Sequence, residues 1–192
     1  MSVEMVIGYH VILGMYGFWM PNDPRGSYSK FVGSWDAFRY GKATKVKTRQ
    51  SVAAAPHDHS ARLAAKRTLA HPAVELSGVE ATHVARGFND AAAESGYVLW
   101  ALAILPDHVH MVLKRTGRKA ETMAGHMRAR ATQRLRDDGD WPTERPVWGK
   151  RGWRVYLESP ADIRRATRYV EQNPIKEGKR RQNWSFVVPY DV

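Results

Sequence analysis

The chain has 192 residues and no cysteine, which excludes disulfides and thiolate zinc sites and leaves histidine, carboxylate and amide groups to hold any metal ion. Thirty Lys and Arg against nineteen Asp and Glu give a formal net charge of +11, so nucleic acid is the favoured partner, the plainer alternative being a solvated basic surface. A hydrophobic fraction of 43% with seven Trp indicates a folded chain, no apolar run nears the roughly 20 residues of a membrane span, and the start lacks a secretion-signal pattern. One domain over 1–192, cytoplasmic and nucleoid-associated, is therefore expected, with a basic loop insertion at about 22–60.

In chain order, Val6 to Met15 is rich in β-branched and aromatic residues and runs into a Gly, Pro, Asn and Asp cluster, which predicts a first strand and a loop. The insertion that follows has little periodicity and many Gly, Ser, Lys and Arg, including Lys42 to Arg49. Ala61 to Ala70 has helical composition. A better helix opens at Ser77-Gly78-Val79-Glu80, a capping box, with Val79, His83, Val84, Phe88 and Ala92 on one stripe and Gly96 as its stop.

Tyr97 to Ile104 and Val109 to Lys114 read as two strands joined through Leu105-Pro106-Asp107, and Lys119 to Arg136 as a long helix, basic on its exposed side. Trp153 to Leu157 predicts a short strand preceded by a Gly149-Lys150-Arg151-Gly152 turn. Ser159-Pro160-Ala161-Asp162 then opens a last helix that runs to Asn173-Pro174. The order strand, helix, strand, strand, helix, strand, helix is that of an α+β, ferredoxin-like βαββαβ antiparallel sheet with helices on one face, plus a C-terminal helix.

Two features carry chemistry. His108-Val109-His110 puts two imidazoles on one face of a strand, half of a divalent metal site. In the last helix Tyr169 and Asn173 lie four residues apart, one above the other beside a buried stripe of Ile163, Ala166 and Val170. A phenol and an amide facing a metal on two histidines would supply the nucleophile, third ligand and Lewis acid for phosphodiester cleavage. An ordinary phenol, with a pKa of about 10, needs its anion stabilised by that cation or by nearby Arg and Lys. His57-Asp58-His59 repeats the spacing in a polar, Pro-flanked stretch without strand pattern, so it is expected to be exposed or to lead into a helix.

Leu105-Pro106-Asp107-His108-Val109-His110 resembles the His-hydrophobe-His signature of the single-tyrosine transposases, and Arg168-Tyr169-Val170-Glu171-Gln172-Asn173-Pro174 resembles their tyrosine helix. The likeness is closest to the transposases associated with repetitive extragenic palindromes and extends from Tyr9-His10 to Pro174. It implies an endonuclease that binds single-stranded DNA at hairpins, uses Mg²⁺ or Mn²⁺, and forms a 5′-phosphotyrosine link while releasing a 3′-hydroxyl. Tyr169 would be the nucleophile, His108 and His110 metal ligands, and Asn173 the third ligand, binding the ion directly or orienting a water. Many insertion-sequence members carry Gln at that third position; Asn matches the palindrome-associated branch.

Arg25, Lys150, Arg151, Arg165 and Lys176 are the candidates for phosphate contact, each also readable as solvated charge. Trp148 and Trp153 are candidates for base stacking. A domesticated nucleic-acid binder without catalysis and a phosphoesterase using activated water are the competing functions. Monomer and homodimer both stay open.

Overall fold

The computed structural model describes residues 5–25, 32, 35–43, 52 and 55–190, and of Arg151 the backbone alone. Much of the basic insertion, including most of Lys42 to Arg49, lies outside the described residues. The elements are β1 (Gly8–Met15), α1 (Trp35–Phe38), α2 (His59–Lys66), α3 (Gly78–Ser95), β2 (Leu99–Ile104), β3 (His108–Lys114), α4 (Ala120–Gly139), β4 (Trp148–Leu157) and α5 (Pro160–Lys176). The four strands pair antiparallel in the order β2-β3-β1-β4, the α+β ferredoxin-like sheet expected from the element order.

Alternation along the strands divides the sheet into two apolar faces. Tyr9, Val11, Leu13 and Met15 of β1 and Val109, Met111 and Leu113 of β3 meet α3 and α4 in the larger core. The opposite face carries Ala101, Ala103, Val112 and Leu157, and α5 covers it with Ile163, Ala166 and Val170. Helices α3 and α4 approach closest at Gly87, where a Cβ would stand 2.4 Å from the Ala131 Cα, so no larger residue fits there.

The ends of α3 follow from local chemistry. Ser77 accepts from the Glu80 N–H at 3.2 Å, Glu80 accepts from the Ser77 N–H at 2.7 Å, and Gly96 closes the helix at φ 64°. Of the stripe placed by spacing, His83, Val84, Phe88 and Ala92 are buried, joined by Ala85, Gly87 and Ala91, whereas Val79 is 69% exposed. Helix α2 starts earlier than its composition suggests, because Asp58 caps it by accepting from the Ala61 N–H at 2.9 Å. His59 is thus exposed in its first turn, and His57 lies half-buried with Nδ1 3.0 Å from the Ala55 carbonyl.

Strand β4 is twice the expected length. Gly149-Lys150-Arg151-Gly152 is a paired strand, not a turn: both glycines sit against β1, where a Cβ on Gly152 would come 2.9 Å from the Ile12 carbonyl oxygen and one on Gly149 3.3 Å from that of Gly14. A bulge between Leu13 and Met15 absorbs the irregular register. Helix α5 likewise continues past Asn173-Pro174 to Lys176, since a proline in the last turn forfeits a single hydrogen bond. After α5 the chain returns along β2. The Gln182 side chain accepts from the Ile104 N–H at 2.8 Å and donates to its carbonyl at 2.6 Å, and the Val188 N–H donates to Leu99 at 2.9 Å.

Candidate active site

The face of the sheet under α5 carries the candidate residues His108 and His110, and α5 itself carries Tyr169 and Asn173. In β3, Val109 and Met111 point into the larger core, so His108 and His110 point to the α5 side. Antiparallel pairing sets Gly14 opposite His108, Ile12 opposite His110 and His10 opposite Val112, which makes His10 a diagonal neighbour of His110. His108 and His110 are 6% and 4% exposed, their ring centroids 4.8 Å apart.

Each of these rings has its Nδ1 engaged. Asp107 places Oδ1 2.7 Å from the His108 Nδ1. The His110 Nδ1 lies 3.1 Å from the His10 Nε2, with the ring centroids 5.3 Å apart and the planes 29° apart. Phe18 stacks on His108 at 4.7 Å, and the Arg25 guanidinium lies over the Phe18 ring at 4.1 Å. Gly14 makes that column possible: a Cβ there would meet the Phe18 Cδ1 at 2.7 Å.

Helix α5 brings the phenol. With Ile163, Ala166 and Val170 buried, Tyr169 stands half-buried at the edge of the stripe, its ring 5.5 Å from that of His110 and 5.7 Å from that of His10, edge-on to both. Asn173, one turn on, is 9% exposed, and its amide nitrogen is buried without a hydrogen-bond partner. Lys176 holds its ammonium 5.1 Å from the centre of the Tyr169 ring. Tyrosine and histidines come from one chain.

Burial sets the protonation of the cluster. It lowers His10 from 6.5 to about 4. It also lowers His110 well below its ordinary value, with help from the charges of His108, His10 and Arg25. Both rings are neutral near pH 7, the state in which an imidazole nitrogen can bind a metal. Burial would raise the Asp107 carboxyl, but the hydrogen bond and charge of His108, with Arg25 and Lys66, hold it below the usual carboxylate value.

Among the described residues no three His, Cys, Asp or Glu side chains converge as a ligand set. His10 does not complete one because its Nε2 is spent on His110. The donors that remain are the Nε2 atoms of His108 and His110 and the Asn173 side-chain oxygen, while the buried amide nitrogen of Asn173, which has no partner, can donate a hydrogen bond to a bound phosphate or water. That set fits a divalent ion completed by water or phosphate oxygens. Two imidazoles suit Mn²⁺ better than Mg²⁺, which prefers oxygen.

The basic candidates are more scattered. Arg25 spends its fork on the fully buried Asp23, with Nη2 2.8 Å from Oδ2 and Nε 3.0 Å from Oδ1, so it is a structural cation beside the site. Burial opposes its charge, but the Asp23 hydrogen bonds raise it further. Arg165 is exposed and pairs with Asp162 in its own first turn. Lys150 is exposed on β4, and the Arg151 side chain lies outside the described residues. Trp148 is a core anchor, donating Nε1–H to the Thr132 hydroxyl at 2.9 Å and stacking on Phe88 at 6.1 Å. Trp153 pairs with Ile12 and so shares the histidine face.

Two participants were not singled out by sequence. Asp107 adjoins the histidine motif, and a carboxylate next to a ligand histidine is the signal that could have found it. His10 falls on the same alternation as Ile12 and Gly14, and the ferredoxin-like order, which sets β1 beside β3, brings it to His110.

No family model matches the chain, and no curated protein matches its sequence. Among solved structures it is similar to a REP-associated tyrosine transposase bound to a REP hairpin, at 11% identity and a TM-score of 0.49, over 90% of this chain and 69% of that one. It is also similar to a proposed transposase from Deinococcus radiodurans R1, at 14% identity and a TM-score of 0.42, over 86% of this chain and 89% of that one.

Proposed function

We propose that this chain is a single-tyrosine DNA transposase, acting as a single-strand endonuclease and ligase at hairpin-flanked sites through a covalent 5′-phosphotyrosine. The observation that carries the reading is the Tyr169 ring 5.5 Å from His110, a ring whose Nδ1 is already engaged. A packing tyrosine has no need of two oriented histidines, and a metal site for fold stability has no need of a phenol at its rim.

In the reaction, the Tyr169 oxygen attacks phosphorus, the bond from phosphorus to the 3′-oxygen breaks, and the 5′-phosphate stays on the tyrosine. The phenolic proton is lost, and the departing 3′-oxygen takes up a proton to leave as a hydroxyl. Attack by a 3′-hydroxyl on the phosphotyrosine reverses the step and rejoins the strand without outside energy. The Lys176 ammonium beside the ring favours the phenolate as attack proceeds. A bound Mg²⁺ or Mn²⁺, held by His108, His110 and Asn173, would polarise the scissile phosphate and offset charge on its non-bridging oxygens.

The test is incubation of hairpin-flanked single-stranded DNA with each ion. The parent yields a downstream fragment linked to the protein through its 5′-phosphate and an upstream fragment with a free 3′-hydroxyl; Tyr169→Phe yields neither, a loss of at least about 1000-fold on the scale of deleting a nucleophile. Undiminished cleavage by Tyr169→Phe, with loss in His108→Ala, would instead establish a phosphoesterase using water. Metal-independent binding without cleavage by the parent would establish a non-catalytic nucleic-acid binder.

A further inference from the structure

His108 and His110 are held differently. His108 has a carboxylate on its Nδ1, the usual partner of a metal-binding imidazole, whereas His110 has only another imidazole, the His10 Nε2 at 3.1 Å. Two imidazole nitrogens at that distance share one proton, which allows two arrangements. In one, His10 donates, the His110 Nδ1 accepts, and the His110 proton sits on Nε2, blocking it as a ligand. In the other, the His110 Nδ1–H donates to His10, and the His110 Nε2 keeps its lone pair.

We propose that His10 is a positioning residue that accepts the His110 Nδ1–H and so fixes the tautomer in which the His110 Nε2 is open to a divalent cation. Four features support it. The ring centroids are 5.3 Å apart with planes 29° apart, so the rings lie nearly coplanar and edge to edge, with the two nitrogens facing each other. His10 is fixed by its strand, diagonal to His110 across the β1–β3 ladder. The Tyr169 ring packs edge-on against both from α5 at 5.7 and 5.5 Å. His110 is 4% exposed, so little water competes for its Nδ1. The inference rests on the proposed function in one respect, that His110 is a ligand; the tautomer itself does not depend on DNA cleavage.

Long-range ¹H–¹⁵N correlation spectra of the metal-free protein at pH 7.5 read the tautomers directly. Protonated Nδ1 and bare Nε2 at His110 are expected, and a His110 proton on Nε2 overturns the proposal. Mn²⁺ titration calorimetry gives the second readout. His10→Phe, which keeps a ring and removes the acceptor, should bind Mn²⁺ about 10- to 100-fold more weakly, the usual cost of losing such a partner. His10→Gln, which restores an acceptor, should recover most of that loss. Unchanged affinity in His10→Phe overturns the proposal, and failure of that variant to fold leaves the parent spectrum to decide it. A parent with the expected tautomer that cuts no DNA supports His10 as the positioning residue and counts against the transposase reading alone.

Discussion

At the scale of single residues, the site depends on groups that touch no substrate. Asp107 has one task visible in the fold beyond its backbone bonds: its carboxylate orients His108. Asp107→Asn retains the shape and removes the charge, and should weaken Mn²⁺ binding by about tenfold to a hundredfold while leaving α5 in place. Calorimetric titration of the variant checks this, and unchanged affinity would mean that the ion does not use His108. Asp23 and Arg25 show the opposite economy. A carboxylate with no solvent exposure must be paired, and its bonds to Arg25 and, at 3.4 Å, Arg62 hold it below the usual carboxylate range although burial opposes this. Arg25 therefore stands over Phe18 with its charge already paired to Asp23.

At the scale of elements, α5 carries the proposed nucleophile Tyr169 and the amide of Asn173. It is held to the sheet by three small or medium apolar residues, Ile163, Ala166 and Val170, against Ala101, Ala103, Val112 and Leu157. Ile163→Ala should cost about 2–5 kcal/mol, as deletion of a fully buried aliphatic side chain does. It should lower DNA cleavage more than Mn²⁺ binding, because the proposed nucleophile rides on the helix whereas two of the three proposed ligands, His108 and His110, sit on the sheet. Urea unfolding, cleavage rate and calorimetry on one sample separate the effects; equal losses in rate and affinity would contradict it. These elements differ in how plainly they stand in the sequence. The capping box at Ser77 and Glu80, the αL stop at Gly96 and the Ser159-Pro160-Ala161-Asp162 opening are local signals, readable because the residues that make them are neighbours in the chain. The first half of β4 is not, since Gly149 and Gly152 look like turn glycines until β1 lies against them. His10 was hidden for the same reason: its partner is 100 residues away, and pairing between strands brings the two together.

At the scale of the whole molecule, two properties follow from how the parts are summed. The first is acid sensitivity. His10 titrates at 6.5 when unfolded and at about 4 when folded, and His110 is lowered as well. Between those values the unfolded chain binds more protons, so the stabilisation is fully present above pH 6.5 and is lost as the pH falls towards 4. His10 alone contributes on the order of 3 kcal/mol at about 1.4 kcal/mol per pKa unit. Urea midpoints of metal-free protein should fall from pH 7.5 to pH 5, and a rise would contradict the burial of these rings. The second is that tyrosine and histidines meet within one chain. A mixture of Tyr169→Phe and His110→Ala chains should therefore stay inactive, whereas restored cleavage would show that helices are exchanged between copies. The central claim, that Tyr169 is the nucleophile, is tested most directly by mass spectrometry of the parent after reaction with hairpin-flanked single-stranded DNA and Mn²⁺. The account predicts one covalent 5′-phosphorylated fragment mapped to the peptide containing Tyr169. Cleavage with no adduct, or an adduct on another residue, would contradict it.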